Sequence, residues 1–221
     1  KNFYDAWSNE YDKTLNDWNY KVPKQAAPIL KKYSIGVPKY LLDLPCGTGL
    51  FAQEIKKIYP TIICDGADIS KKIIQVSLQK GVYRNLYLSS FEKNIKLDND
   101  YNIVSLIGGM TYCSNYQLLF NHVYNYLKNK GCFIFTHRVD IWEKFNFDEF
   151  LKLNEDKFEV IYKSKPLNYL PENKDFGTKI KIRLILLAKK TNKQIPIRLV
   201  KGAYWDSEIK YAQVNGLSHY P

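Results

Sequence analysis

The 221-residue chain carries 45% hydrophobic and 25% charged residues and a formal net charge of +11. That is enough for one α/β domain with a full core, and no apolar run approaches the roughly 20 residues a membrane span needs. Only four of its 33 basic residues are arginine, and the lysines fall in tracts no longer than a pair. The charge therefore argues for non-specific association rather than a nucleic-acid partner.

The first 33 residues, "KNFYDAWSNEYDKTLNDWNYKVPKQAAPILKKY", are helical and aromatic, with Pro23 and Pro28 expected to break them into two or three short helices. They begin without Met, which points to a trimmed N-terminus, and their acids and amides do not read as a secretion signal. From "YLLDL" onward strands and helices alternate: helix "LFAQEIKKIY", strand "TIICDGAD", then helix "SKKIIQVSLQKG" closed by Gly81. Strands "NLYLSS" and "YNIVSLIG" follow, then helix "NYQLLFNHVYNYLKNKG" capped by Gly131, strand "CFIFTHR" and the helical "IWEKFNFDEFLKLNED". "FEVIYKSKPLNYL" and "TKIKIRLILLAKK" pair as an antiparallel hairpin. The expected fold is α/β: a doubly wound, mostly parallel Rossmann-like sheet of seven strands, with a C-terminal antiparallel hairpin and an N-terminal helical lid. Cys46, Cys64, Cys113 and Cys132 form no C-x-x-C pair, so free thiols of a reducing cytoplasm are expected and no metal site.

The chemistry concentrates in "LLDLPCGTGLF". In a doubly wound sheet, ligands sit beyond the carboxyl ends of the strands, where this loop lies. Gly47 and Gly49 let a ligand approach the backbone, and the helix that begins near Leu50 offers amides to an anion. The third glycine of a dinucleotide fingerprint is Ala52, and no Walker lysine is present. Asp43 at the mouth of the loop would repel phosphate and suits an ammonium or sulfonium. S-adenosylmethionine carries both, plus a carboxylate for the helix amides. Asp68 ends the second strand in "GADIS", where a carboxylate can accept from ribose hydroxyls; Ile69 would lie against adenine and Ser70 can cap the next helix.

"LLDLPCGTG" with "GADIS" resembles motifs I and II of the class I S-adenosylmethionine-dependent methyltransferases, over roughly residues 3 to 190. "FYDAWSNEYD" is similar to the small methyltransferase-like proteins of the Williams–Beuren type and their bacterial relatives. Pro45 departs from the family pattern, and Ser90 stands where an acid usually reads the adenine amino group. The resemblance implies a donor site of Tyr11, Asp43, Cys46, Gly47, Gly49, Asp68, Ile69, Ser90, Phe91, Gly108 and Met110. Trp7, Trp18, Tyr20 and Tyr112 are expected to wall the acceptor side, and Tyr11 to reach the methionine end from the lid.

"GGMTY" after the fourth strand lacks the N/D-P-P-Y/F of amino-group methylation of nucleobases or glutamine and the Pro-Cys pair of pyrimidine C5 methylation. A small-molecule acceptor is therefore expected, met by in-line methyl transfer in a monomer or homodimer. His137, with Asp140 and Glu143 nearby, is the candidate base. The alternatives are a donor-binding module without turnover and an RNA methyltransferase. Residues 1–38 are expected as the lid and 39–191 as the donor-binding domain. Residues 192–221 form a foreign tail, because "RLVKGAYWD.EIK.AQ" resembles a fragment of the proline dehydrogenase barrel of bifunctional proline-utilisation flavoenzymes. One strand and one helix of a barrel make no flavin cleft, so the role of the lysine matching Lys201 does not carry over.

Overall fold

The computed structural model describes residues 10–33, 36–98, 100–175 and 177–191. Trp7 and the tail 192–221 lie outside them. Eight strands form one sheet: β1 (Tyr40–Asp43), β2 (Ile63–Asp68), β3 (Asn85–Leu88), β4 (Tyr101–Leu106), β5 (Leu127–Arg138), β6 (Phe158–Lys163), β7 (Leu167–Asn168) and β8 (Lys181–Lys189). Around it stand α1 (Tyr11–Asp17), α2 (Val22–Tyr33), α3 (Leu50–Ile58), α4 (Lys71–Gln79), α5 (Tyr116–Tyr126), α6 (Val139–Lys144) and α7 (Phe147–Leu153).

The strand order is β3-β2-β1-β4-β5-β8-β6, with the two-residue β7 beside β8. The first five strands pair in parallel, whereas β8 runs antiparallel to β5, β6 and β7. This is the doubly wound sheet the alternating pattern predicts: seven strands in a row, with β7 as a short eighth.

Both faces of the sheet are covered, so its strands read as near-continuous apolar runs. Leu41, Ile103, Ile134 and Leu186 face one way, against Ala26 and Leu30 of α2 and Phe51 and Ile55 of α3. Their neighbours Leu42, Val104, Phe133 and Leu187 face the other way, into a layer with Phe120, Phe147 and Phe150.

Three local expectations change. Pro28 lies inside α2 and does not break it, because Ala26, Ala27 and Leu30 are buried on the sheet and hold the helix across the missing N–H. Gly131 is no helix cap: α5 stops at Tyr126, and Lys130 takes the left-handed turn at φ +61. Gly131 is required for another reason, since a Cβ there would stand 2.9 Å from the Lys128 carbonyl oxygen. The helix expected over "IWEKFNFDEFLKLNED" divides into α6 and α7 at Asn146, whose φ is +45. Among the described residues no helix is long and apolar enough to cross a membrane.

Candidate active site

The strand order reverses between β1 and β4, which opens a crevice at their carboxyl ends. The loop leaving β1 is stitched to both neighbours of that strand. Leu44 N donates to Ser105 O at 2.8 Å, and Cys46 N donates to Ala67 O at 2.8 Å. Gly47 and Gly49 then turn through φ +51 and +90, and Gly49 leads directly into α3. A Cβ on Gly49 would press Val82 at 2.9 Å, whereas one on Gly47 would meet nothing within 4 Å. Gly49 serves packing, and Gly47 keeps space open beside the crevice.

Asp43 is 1% exposed at the base of this loop. Its Oδ1 accepts from the Ser105 hydroxyl at 2.6 Å and its Oδ2 from the Tyr83 hydroxyl at 2.7 Å. Burial pushes its carboxyl up to about 7; the two hydroxyl bonds oppose that rise and the charge of Asp68 adds to it. Asp68, at the end of β2, accepts from Gly47 N at 3.1 Å and Ser70 N at 2.9 Å. The helix cap of α4 is Ser70, which accepts from Ile73 N at 3.1 Å, so Asp68 is left to organise the loop and face the crevice.

A cavity of about 320 Å³ occupies the crevice. One side is the loop and strand ends: Asp43, Cys46, Gly47, Asp68 and Ile69, continued by Ser90, Phe91 and Glu92. The other side is built of Tyr11, Tyr20, Gly108, Tyr112 and Tyr169, with apolar Leu15, Pro23, Ile107 and Leu170 among them. Tyr20 meets Tyr169 edge-on at 5.5 Å between ring centroids. A Cβ on Gly108, whose φ is +82, would stand 3.4 Å from the Tyr20 hydroxyl oxygen and 3.5 Å from that of Tyr169. Next to it Gly109 is obligatory, because a Cβ there would come within 2.3 Å of Pro45 Cδ. The ring of Pro45 thus lies against the loop after β4.

Most of the expected donor-site residues line this cavity, and several expected site residues lie elsewhere. Gly49 and Met110 are not among the lining residues; Met110 is 1% exposed and packs into the core layer beneath. On the acceptor side Tyr20 and Tyr112 line the cavity, but Trp18 does not. His137 is the main correction. Along β5 successive side chains alternate faces, and Thr136 accepts from the N–H of the cavity-lining Gly108 at 2.8 Å. His137 points the opposite way, 1% exposed, with the Phe147 ring at 4.7 Å and Trp142 at 5.8 Å. Burial pushes its imidazole down to about 4, so it is a neutral core residue rather than a base at the crevice. Its neighbour Asp140 is held by a two-pronged contact from Arg138, at 3.0 and 2.6 Å.

Other residues enter unannounced. Asp12 of α1 accepts from the Thr48 hydroxyl and pairs with the ammonium of Lys80, tying the N-terminal helix to the glycine loop and to the end of α4. Glu92 accepts from the Ser114 hydroxyl at 2.7 Å and from Asn115 N at 3.0 Å, which orients it at the cavity edge. Tyr83 and Ser105 hold Asp43. The thiol of Cys46 is pushed well up by burial and by Asp68 and Asp43, so it lines the cavity protonated.

Comparison with known proteins agrees with this architecture. A family model described as "Methyltransferase domain" matches residues 18–163, and one described as "Proline dehydrogenase" matches residues 173–221. A methyltransferase relative from Geobacillus sp. (strain WCH70) is 23% identical over 178 residues, covering 75% of this chain and 70% of the relative. The Bifunctional protein PutA of Escherichia coli (strain K12) is 63% identical over 38 residues, which is 17% of this chain; the chain spans only 3% of that protein's length. Among solved structures, the plantazolicin methyltransferase BpumL, in complex with a pentazolic desmethylPZN analog and SAH, superposes with a TM-score of 0.61 at 12% identity. That match covers 83% of this chain and 90% of BpumL, and at this identity it speaks for the fold. β8 falls inside the stretch matched by the proline dehydrogenase model, yet its pairing with β5 and β6 makes it part of the sheet. The chain belongs to the methyltransferase domain family.

Proposed function

We propose that the cavity binds S-adenosylmethionine through its glycine-loop side and presents the donor methyl group to a small acceptor on its tyrosine side. The observation that carries this is the pair of buried carboxylates, Asp43 and Asp68, at the ends of adjacent strands of one glycine loop. Each residue present suits a part of the donor. Asp43 keeps lone pairs for an ammonium beyond those taken by Ser105 and Tyr83. The first amides of α3 suit a carboxylate. Asp68 suits a ribose diol, and Ile69 and Phe91 supply apolar surface for a purine. The cavity volume is that of a small-molecule site.

The bound donor supplies an electrophilic methyl on a sulfonium, so the protein's work is placement, which alone can contribute about 7–11 kcal/mol. Tyr11 and Tyr20 close the cavity over the loop, and burial pushes both phenols well above their ordinary range, so they act as neutral hydroxyls. In the same reading residues 1–38 serve as lid, 39–191 as the donor-binding domain, and the tail 192–221 takes no part in either. Titrating the full chain with S-adenosylhomocysteine tests it: micromolar binding is expected, and no detectable heat or fluorescence change would overturn it.

A further inference from the structure

The cavity differs in charge from the rest of the molecule. The chain holds 33 Lys and Arg, yet among the described residues that line the cavity there is no Lys, Arg or His. Three carboxyl groups, Asp43, Asp68 and Glu92, and four phenols, Tyr11, Tyr20, Tyr112 and Tyr169, line it instead. From these residues, and resting on the reading of the cavity as a methyl-transfer site, we infer that the methyl acceptor is an amine carried on an apolar body, and that the cavity rejects carboxylate and phosphate acceptors.

Three independent features support it. First, an anion on the tyrosine side would find no cation among the described lining residues, and the carboxyl groups of the opposite side add negative charge. The Arg138 guanidinium, whose charge acts on Tyr169, is 7% exposed, off the cavity lining and engaged two-pronged by Asp140. Second, phenol rings and hydroxyls favour cations, through the negative ring face and through oxygen lone pairs. Burial pushes Tyr169 up, with Tyr112 adding to the rise and Arg138 opposing it, and it raises Tyr11 and Tyr20 as well, so these oxygens stay neutral rather than adding charge of their own.

Third, proton accounting favours nitrogen over oxygen. An alcohol or phenol acceptor must shed its proton as the bond forms. His137 is turned into the core, Asp43 and Asp68 stand on the donor side where the donor's ammonium and ribose would take their remaining lone pairs, and Glu92 is held by Ser114 and Asn115. An ammonium, with an ordinary pKa of about 10, can shed a proton to water before attack, as an alcohol cannot; the freed lone pair then forms the new nitrogen–carbon bond while the carbon–sulfur bond breaks and leaves its pair on sulfur. Positive charge passes from sulfur to nitrogen inside a wall suited to cations, and the product ammonium can lose its proton later to water. Leu15, Pro23, Ile107 and Leu170 provide the surface for the apolar body.

The test uses the full chain and three probes of similar size, 2-phenylethylamine, 2-phenylethanol and 3-phenylpropionate, titrated with S-adenosylhomocysteine bound. The amine should bind about tenfold or more tighter than the carboxylate and tighter than the alcohol, a gap of roughly 1.4 kcal/mol or more. Tyr112→Lys, at a position 42% exposed, should weaken the amine and strengthen 3-phenylpropionate. Equal binding of the three probes, preference for the carboxylate, or no binding by any of them would overturn the inference while leaving the donor site intact. Failure of S-adenosylhomocysteine itself to bind would overturn the reading beneath it as well.

Discussion

The two sides of the cavity are held in place by different means. The glycine-loop side hangs on the sheet through backbone and carboxylate hydrogen bonds: Leu44 to β4, Cys46 to β2, and Gly47 to Asp68. Its residues come from the ends of the neighbouring strands β1, β2 and β3 and the turns that follow them, so the sheet register fixes them. The tyrosine side draws on α1, the turn after it, the loop after β4 and the connection between β7 and β8. It is held by ring contacts such as Tyr20 on Tyr169 and by the Asp12 latch onto Thr48. A side fixed by the sheet can keep one ligand constant, while a side assembled from loops and rings can change its acceptor without disturbing the fold.

Substitutions that separate the sides test this division. The largest effect is expected from Asp68→Ala, which removes both the carboxylate proposed for the ribose diol and the acceptor for Gly47 N. Affinity for S-adenosylhomocysteine should fall by about tenfold or more, roughly 1.4 kcal/mol, in calorimetry. Asp43 sharpens the comparison by pH. With its carboxyl raised to about 7, it is protonated on the acid side of that value and must ionise to hold an ammonium. Donor affinity should therefore rise as pH increases through 7, and Asp43→Asn should be weaker and flat.

The stability of the ligand-free protein should move the opposite way. The folded state keeps a proton that the unfolded chain releases above its ordinary carboxylate pKa, so this contribution is complete below about pH 4 and lost as pH rises towards 7. The thermal midpoint of the wild type relative to Asp43→Asn, measured across that window, reads it.

Tyr20→Phe and Tyr169→Phe should each raise the acceptor KM several-fold, by about 1 kcal/mol for a lost hydroxyl contact. Donor affinity should hold within experimental error. If donor affinity falls as far as acceptor KM rises, the two sides are not separate. Asp12→Ala should cost less, a few-fold in donor affinity, since its partner Lys80 is near the surface and such pairs contribute about 0–1 kcal/mol. Deleting residues 192–221 should change neither binding nor turnover; loss of donor binding by the still-folded protein would place the tail in the site.

The same division explains how much could be read from the chain alone. The β-α alternation, the two glycines and the spacing of Asp43 and Asp68 are local signals, and the sheet side of the cavity was legible from them. β2 shows the limit of that reading, because it carries two buried acids. Asp65 is wholly buried, yet it is spent on Arg84, on Asn85 N and on the Tyr101 hydroxyl at 2.7 Å. Nothing in "CDGAD" marks Asp65 as structural and Asp68 as facing the crevice, apart from the position of the strand end. The tyrosine side was half legible: Tyr11, Tyr20 and Tyr112 were anticipated, but Tyr169 lies in a hairpin connection, and Asp12 meets partners 36 and 68 residues away. His137 misled because a strand end near a crevice has two faces, and a one-residue step decides between ligand and core.

The interlock of Pro45 with Gly109 has a consequence for how this cavity can diverge. Gly109 is not free to drift alone: any side chain there collides with the proline ring 2.3 Å from its Cβ, so the first step must occur at 45. Replacing Pro45 with alanine would remove Cγ and Cδ and make room for alanine at 109, so Gly109→Ala should be harmful by itself and tolerated second. Such sign-dependent coupling orders the accessible mutational paths. A family member with a small residue at the first position could explore the loop after β4 freely, whereas this chain is confined to glycine there until its proline is lost.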